Sequence, residues 1–378
     1  MRTLILETIN RYLAIALVMG YRLIESGSAL PRHLPALQIL RALAALSVAL
    51  LHVFKDADRI SARQGGNLTL AQQWPLASGV DLFFVISGFV MVYASRDLFG
   101  SLAHAGPFLR RRLARIAPIY WIITVVYLML SLGNLAPLNH AKPDLWEIIA
   151  SFLFIPWIKG GSIAIQPAYN LGWSLNYEMF FYGLFALALG LRRNVAVPLL
   201  VGVLMILALL GQFIPSSSTQ LYFWTRLIIL EFGMGMLIAQ MALAGLRPTR
   251  PFAGLLIVLA LIVFALGHMA PDPETYRALY FGPPCALLVI ASLAFNDIAV
   301  KHPVLRILTG LGDASYAIYL LHPFIMRAVT VLAGAWLVSI SPWLYALVCL
   351  SILAPVSYAA WLWFERPVTK ALQGPTLR

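Results

Sequence analysis

The segment LQILRALAALSVALLHV (residues 37–53) carries an arginine, Arg41, and a histidine, His52, inside one apolar run. Read as a helix, their eleven-residue separation returns the second side chain to within about 20° of the first, roughly 16 Å further along the axis. An ionisable group within a bilayer span costs several kcal/mol unless it faces a cavity or a partner, so both are functional candidates. Two on one face, toward opposite ends of a span, predict a polar path through a membrane.

Composition extends that reading to the whole chain. Of 378 residues, 61% are hydrophobic and 11% charged, whereas a soluble chain carries about 25% charge. Mean hydropathy is +0.84. The expected fold is an all-α polytopic membrane bundle. Apolar stretches of spanning length fall near 36–54, 76–95, 117–135, 172–191, 195–214, 221–244, 252–270, 277–295, 310–333 and 343–364, which gives about ten transmembrane helices. The stretch 145–157 (LWEIIASFLFIPW) is too short to count among them.

The net charge of +12 resides largely in short arginine-rich loops. In a membrane protein such loops record insertion topology, so nucleic-acid binding is not expected. Arg96, Arg110, Arg111, Arg112 and Arg115 oppose only Asp97 across 96–116, which puts that loop in the cytoplasm. Arg192-Arg193, Arg247 with Arg250, Lys301 with Arg306, and the tail fall on the same side only if 145–157 does not cross. Both termini are then cytoplasmic, and 134–171 is external. Residues 1–31, whose apolar core YLAIALVMGY (12–21) is short for a span, read as an extension with a helix on the membrane surface. Residues 32–370 form the transmembrane domain, and 371–378 a short cytoplasmic tail. Cys285 and Cys349 show neither metal-ligand spacing nor a disulfide pattern, so no metal is expected.

Under this topology His52, Asp81, Glu178 and His322, from four separate spans, share the outer half of the bundle. Each has a plainer reading. Glu178 is equally satisfied by an ion pair with another span's arginine. Asp81 stands near a helix start, where it offsets the helix dipole. His322 precedes Pro323 and can cap a helix break. Glu231 and Arg226 read as a structural network. Tyr120, Trp121, Trp173, Tyr177, Tyr182, Trp361 and Trp363 lie near span ends and read mostly as interfacial belt. On the cytoplasmic side, Arg112 and Arg115 sit at i and i+3 on one helix face, a spacing that suits gripping phosphates.

Taken together, six blocks make the chain resemble the membrane-bound acyltransferase 3 family from about Pro31 to about Lys370. They are R-x10-H (Arg41, His52), GVDLFFVISGF (79–89), the arginine block with its proline (111–118), GWSLNYEMFFY (172–182), SYAIYLLHPF (315–324) and ERP (365–367). LQILRALAAL, VISGFVM and LNYEMFFY look most like the subgroup associated with exopolysaccharide production. Gln38-Ile39 stands where many relatives carry Asp-Gly.

The resemblance implies transfer of an acyl group, commonly acetyl, from cytoplasmic acetyl-coenzyme A to a sugar hydroxyl of a surface glycan, in a bacterial inner membrane. It matches Arg41 and His52 to the signature pair, Arg112 and Arg115 (with Arg111) to the coenzyme-binding motif, and Glu178 and His322 to later polar positions. His52 is the expected base, with Glu178 to orient it or stabilise its imidazolium, and Arg41 to steer the thioester arm or stabilise the oxyanion. Asp81, Trp173 and Tyr319 are the expected acceptor-binding residues. The rival class is a transporter or flippase for a lipid-linked sugar, with Glu178 and His322 as proton relay; a non-catalytic scaffold is the third.

Overall fold

The computed structural model of the protein describes residues 20–23, 33–132, 143–160, 164–270 and 276–373. Among them the regular structure is almost wholly helical. A two-stranded ribbon joins Tyr21–Leu23 (β1) antiparallel to Leu246–Pro248 (β2). Of residues 1–31 only Gly20 and this strand are described, so the surface helix expected over 12–21 lies almost entirely outside the described residues.

The main helices are α1 (Pro35–Arg63), α2 (Gly79–Ala94), α3 (Ala105–Leu132), α4 (Leu145–Phe152), α5 (Trp173–Ala188), α6 (Arg193–Leu210) and α7 (Leu230–Leu243). They continue with α8 (Arg250–His268), α9 (Gly282–Ser292), α10 (Pro303–Asp313), α11 (Ser315–Val329), α12 (Pro342–Ala360) and α13 (Arg366–Gln373). Pro35, Pro251, Pro283, Pro303 and Pro342 each occupy the first turn of a helix, where a missing N–H breaks no intrahelical bond.

Among the described residues, seven helices are long and apolar enough to cross a membrane: Pro35–Arg63, Leu76–Ala94, Leu102–Ser131, Arg193–Phe213, Arg250–His268, Ser315–Ile340 and Pro342–Gln373. The three other stretches expected to span are shorter or interrupted. α5 has 16 residues. The stretch 221–244 breaks at Arg226, whose guanidinium bonds the carbonyls of Tyr222, at 3.0 Å, and Gly211. The stretch 277–295 is divided between Tyr280 and Gly282, just ahead of Pro283-Pro284, which supply no backbone donors. α4, at eight residues, covers about 12 Å and cannot cross.

Long-range hydrogen bonds define the two ends of the bundle. At one end Gly100 N–H donates to Leu189 and Leu191, Ala36 N–H to Asn296, and Arg110 to the Gln373 carbonyl. At the other, the His268 ring bonds the Gln72 carbonyl, Arg277 the Ala77 carbonyl, and Gln64 the Ala335 carbonyl. Between them α2 and α7 cross with backbones nearly touching. A Cβ on Gly88 would fall on the Phe232 carbonyl oxygen, and one on Gly235 on the Val85 carbonyl oxygen.

Several aromatics expected in the interfacial belt are core residues instead. Tyr120, Tyr177 and Tyr182 are buried, whereas Trp121 and Trp363 are exposed. Tyr177 stacks on Phe223 at 4.1 Å, and Tyr120 packs against Phe154 at 5.1 Å. Ring–ring packing wins because these tyrosines face neighbouring helices rather than the perimeter.

Candidate active site

One cavity gathers side chains from α1, α2, α3, α5 and α11. Arg41, Arg112 and Arg115 line it together with Glu178 and Tyr319. α3 supplies Arg112 and Arg115 from one face, as their spacing predicts. Arg112 lies over the Phe108 ring at 5.4 Å and the Tyr182 ring at 6.0 Å. Among the described residues none of the three guanidiniums makes an ion pair within 4.0 Å. Three cations border one concavity that Glu178 also lines, which gives it positive character. Arg111, half-buried on the same helix, is not in the lining.

Glu178 accepts hydrogen bonds from Ser87 at 3.1 Å and from Tyr182. Tyr182 is four residues on along α5, and Ser87 is on the adjoining α2, so the carboxylate is held within the arginine-lined cavity. It makes no hydrogen bond to His52 among the described residues.

The partner of His52 is His322. Their ring centroids are 4.9 Å apart, which brings α1 and α11 together at one level. His52 Nδ1 lies 2.9 Å from the Val48 carbonyl, and His322 Nδ1 lies 3.3 Å from the Ile318 carbonyl. A carbonyl only accepts, so each Nδ1 carries the proton and each neutral ring keeps its lone pair on Nε2. His322 Nε2 is buried without a hydrogen-bond partner among the described residues. Neither ring borders the cavity. Tyr319 stands at the boundary: it lines the cavity, and its ring meets that of His322 edge-on at 6.3 Å. Its hydroxyl donates to the Leu171 carbonyl at 2.9 Å and lies 3.0 Å from Ser174 Oγ.

Asp81 belongs to a different cluster. It is fully buried and accepts two bonds from Arg277, at 3.0 Å from Nε and 2.6 Å from Nη2. Arg277 also lies over the Trp173 ring at 5.8 Å, so Trp173 shares this cluster and not the cavity. Glu231, fully buried, stands beside the pair, while Arg226 bonds carbonyls elsewhere. The Glu231–Arg226 network expected from sequence is thus two separate arrangements. Asp81→Ala removes the two hydrogen bonds that its buried carboxylate accepts from Arg277, and the expected cost is about 3 kcal/mol. Thermal unfolding of the purified variant in detergent checks this.

Sequence reasoning passed over Ser87, Ser174, Tyr182 and Ser315, all of which line the cavity. Tyr182 could have been found from its i+4 spacing to Glu178. Ser87 could not, because that contact joins two helices distant in sequence.

Comparison with known proteins supplies the remaining information. A family model described as an acyltransferase domain, the acyltransferase 3 family, matches residues 34–362. The chain is 34% identical over 298 residues to the exopolysaccharide production protein ExoZ of Rhizobium meliloti, covering 78% of this chain and 90% of that one. It is 28% identical over 320 residues to the acyltransferase MdmB of Streptomyces mycarofaciens, covering 78% and 79%. It is 26% identical over 372 residues to the O-acetyltransferase OatA of Staphylococcus aureus, covering 90% of this chain and 58% of that protein. No solved structure matches.

Proposed function

From the premise that this chain belongs to the acyltransferase 3 family, we propose that it moves an acetyl group from cytoplasmic acetyl-coenzyme A to a hydroxyl of an exopolysaccharide or related surface glycan. The observation that carries this reading is the convergence of Arg41, Arg112 and Arg115 on one cavity that ends at Tyr319, against the histidine pair. Coenzyme A is a polyphosphate with a long flexible arm ending in the thioester. Arg112 and Arg115, with Arg111 nearby, hold its phosphates at the inner mouth, since guanidinium forks match phosphate oxygens. Arg41 faces the arm within the cavity.

Chemistry takes place where the arm reaches the imidazoles. His52 Nε2 takes the proton of the acceptor hydroxyl as its oxygen bonds to the thioester carbonyl carbon. A cationic side chain such as Arg41 offsets charge on the tetrahedral oxygen. The carbon–sulfur bond then breaks, the coenzyme thiolate takes the proton back, and the ester leaves with the glycan. Glu178 acts from the donor side, keeping Ser87 and Tyr182 in place around the arm. Asp81 and Trp173 shape the acceptor side through Arg277.

The membrane is the bacterial inner membrane, crossed about ten times, with both termini cytoplasmic. Supporting this sidedness, Thr369 and Gln373 of the C-terminal helix bond the carbonyls of Ala114 and Arg111 in the basic block, at 3.4 and 3.5 Å.

Acetyl-coenzyme A should raise the thermal midpoint of the purified protein. Replacing Arg112 and Arg115 together by Ala should weaken that effect at least about tenfold in ligand concentration, since each charged hydrogen bond is worth about 1.5–3 kcal/mol. An unchanged ligand response in the double variant sinks the phosphate assignment. Movement of unmodified glycolipid across liposomes without any acyl donor would instead favour a flippase.

A further inference from the structure

One turn beyond His52 on α1 lies another ionisable side chain, Asp56. Its Oδ2 accepts from Thr330 Oγ1 at 2.6 Å and from the Tyr345 hydroxyl at 2.7 Å, and those two hydroxyls are 2.8 Å apart. The three residues come from α1, from the π-helical turn Thr330–Gly334 that follows α11, and from α12. Each hydroxyl has one proton to give, and an ionised carboxylate oxygen has lone pairs for both. Thr330 Oγ1 is also 2.8 Å from the Met326 carbonyl. Asp56 and the helix's own backbone thus compete for the one proton of this hydroxyl. Around the cluster pack the buried side chains of Val53, Phe54, Met326 and Val329, and in such apolar surroundings these bonds strengthen.

Register links the cluster to the histidines. Asp56 follows His52 by four residues on one face of α1, and His322, Met326 and Thr330 recur at four-residue steps along α11. The Asp56 bonds thus close the same seam, between α1 and α11, that holds the imidazoles 4.9 Å apart. The turn at Thr330 is π-helical, a distortion concentrated at functional sites.

We propose that Asp56 is a positioning residue: by binding the Thr330 and Tyr345 hydroxyls it fixes α11 against α1, and so sets His322 against His52. This rests on the acyl-transfer reading with His52 as base. The test measures O-acetyl ester in surface polysaccharide by NMR, in cells whose only copy is the variant, at matched protein level. Asp56→Ala should lower ester more than about fivefold, because misplacement of a catalytic group by 1 Å is worth about 100-fold. Asp56→Asn still accepts both hydroxyl bonds through its amide oxygen and should recover most of the loss. Thr330→Val should lower ester and Thr330→Ser restore it, which decides the matter if Asp56→Ala fails to accumulate. A smaller loss in Asp56→Ala, or no rescue by the conservative variants, overturns the proposal. His52→Ala runs beside them: ester retained there refutes His52 as the base on which the proposal rests, whereas ester lost there with Asp56→Ala unaffected refutes the positioning role alone.

Discussion

His52→Ala should abolish ester formation, with a fall of at least about 100-fold at matched protein level, the low end of what a positioned base contributes. The geometry makes the loss specific to Nε2. Nδ1–H is engaged by the Val48 carbonyl, so the ring is fixed as the tautomer whose other nitrogen can accept a proton. His52→Gln is the informative companion. Its amide can mimic one hydrogen bond of the imidazole but takes no proton at neutral pH, and its activity should be as low as that of alanine. Quantitative NMR of acetyl signals on the extracted polysaccharide measures both. Ester at parental levels in either variant would leave acyl transfer without its base.

The second large effect is on folding. Gly88→Leu and Gly235→Leu each force a side chain into a carbonyl oxygen of the facing helix, at the crossing of α2 and α7. Overpacking a core costs typically 1–3 kcal/mol, occasionally more. Here the obstacle is backbone rather than a movable side chain, so the expected cost is about 3 kcal/mol or more. Membrane helices that approach this closely depend on small residues at the crossing. Neither variant should accumulate in the membrane. Gly183→Ala is the control: nothing lies within 4 Å of a Cβ there, and alanine should be neutral or stabilising by up to about 1 kcal/mol. Immunoblots of membrane fractions, with thermal unfolding for whatever accumulates, separate the three.

Much of the site could be read from local spacing. Arg41 and His52 share one helix face, and Arg112 with Arg115 share another, because a helical period converts sequence separation directly into direction. That the arginines of α1 and α3 meet in one cavity is seen only in the structure. What could not be read depends on contacts between distant segments. His52 touches His322 across 270 residues of chain, a pairing no periodicity encodes. Shared depth suggested that Glu178 would serve His52, but depth fixes only one coordinate, and Ser87 and Tyr182 claim the carboxylate. Tyr120, Tyr177 and Tyr182 were misread for a related reason. Helices such as α2 and α5 are apolar nearly all round, so sequence does not show which aromatic faces lipid and which faces protein. Asp56 escaped notice within KDADR (55–59), which reads as a solvated helix end.

The Tyr319 hydroxyl, bonded at Leu171 and Ser174, fixes a ring that lines the arginine cavity and also meets the His322 imidazole. On the acyl-transfer proposal, a donor held at the arginines would have to pass this phenol to reach an imidazole.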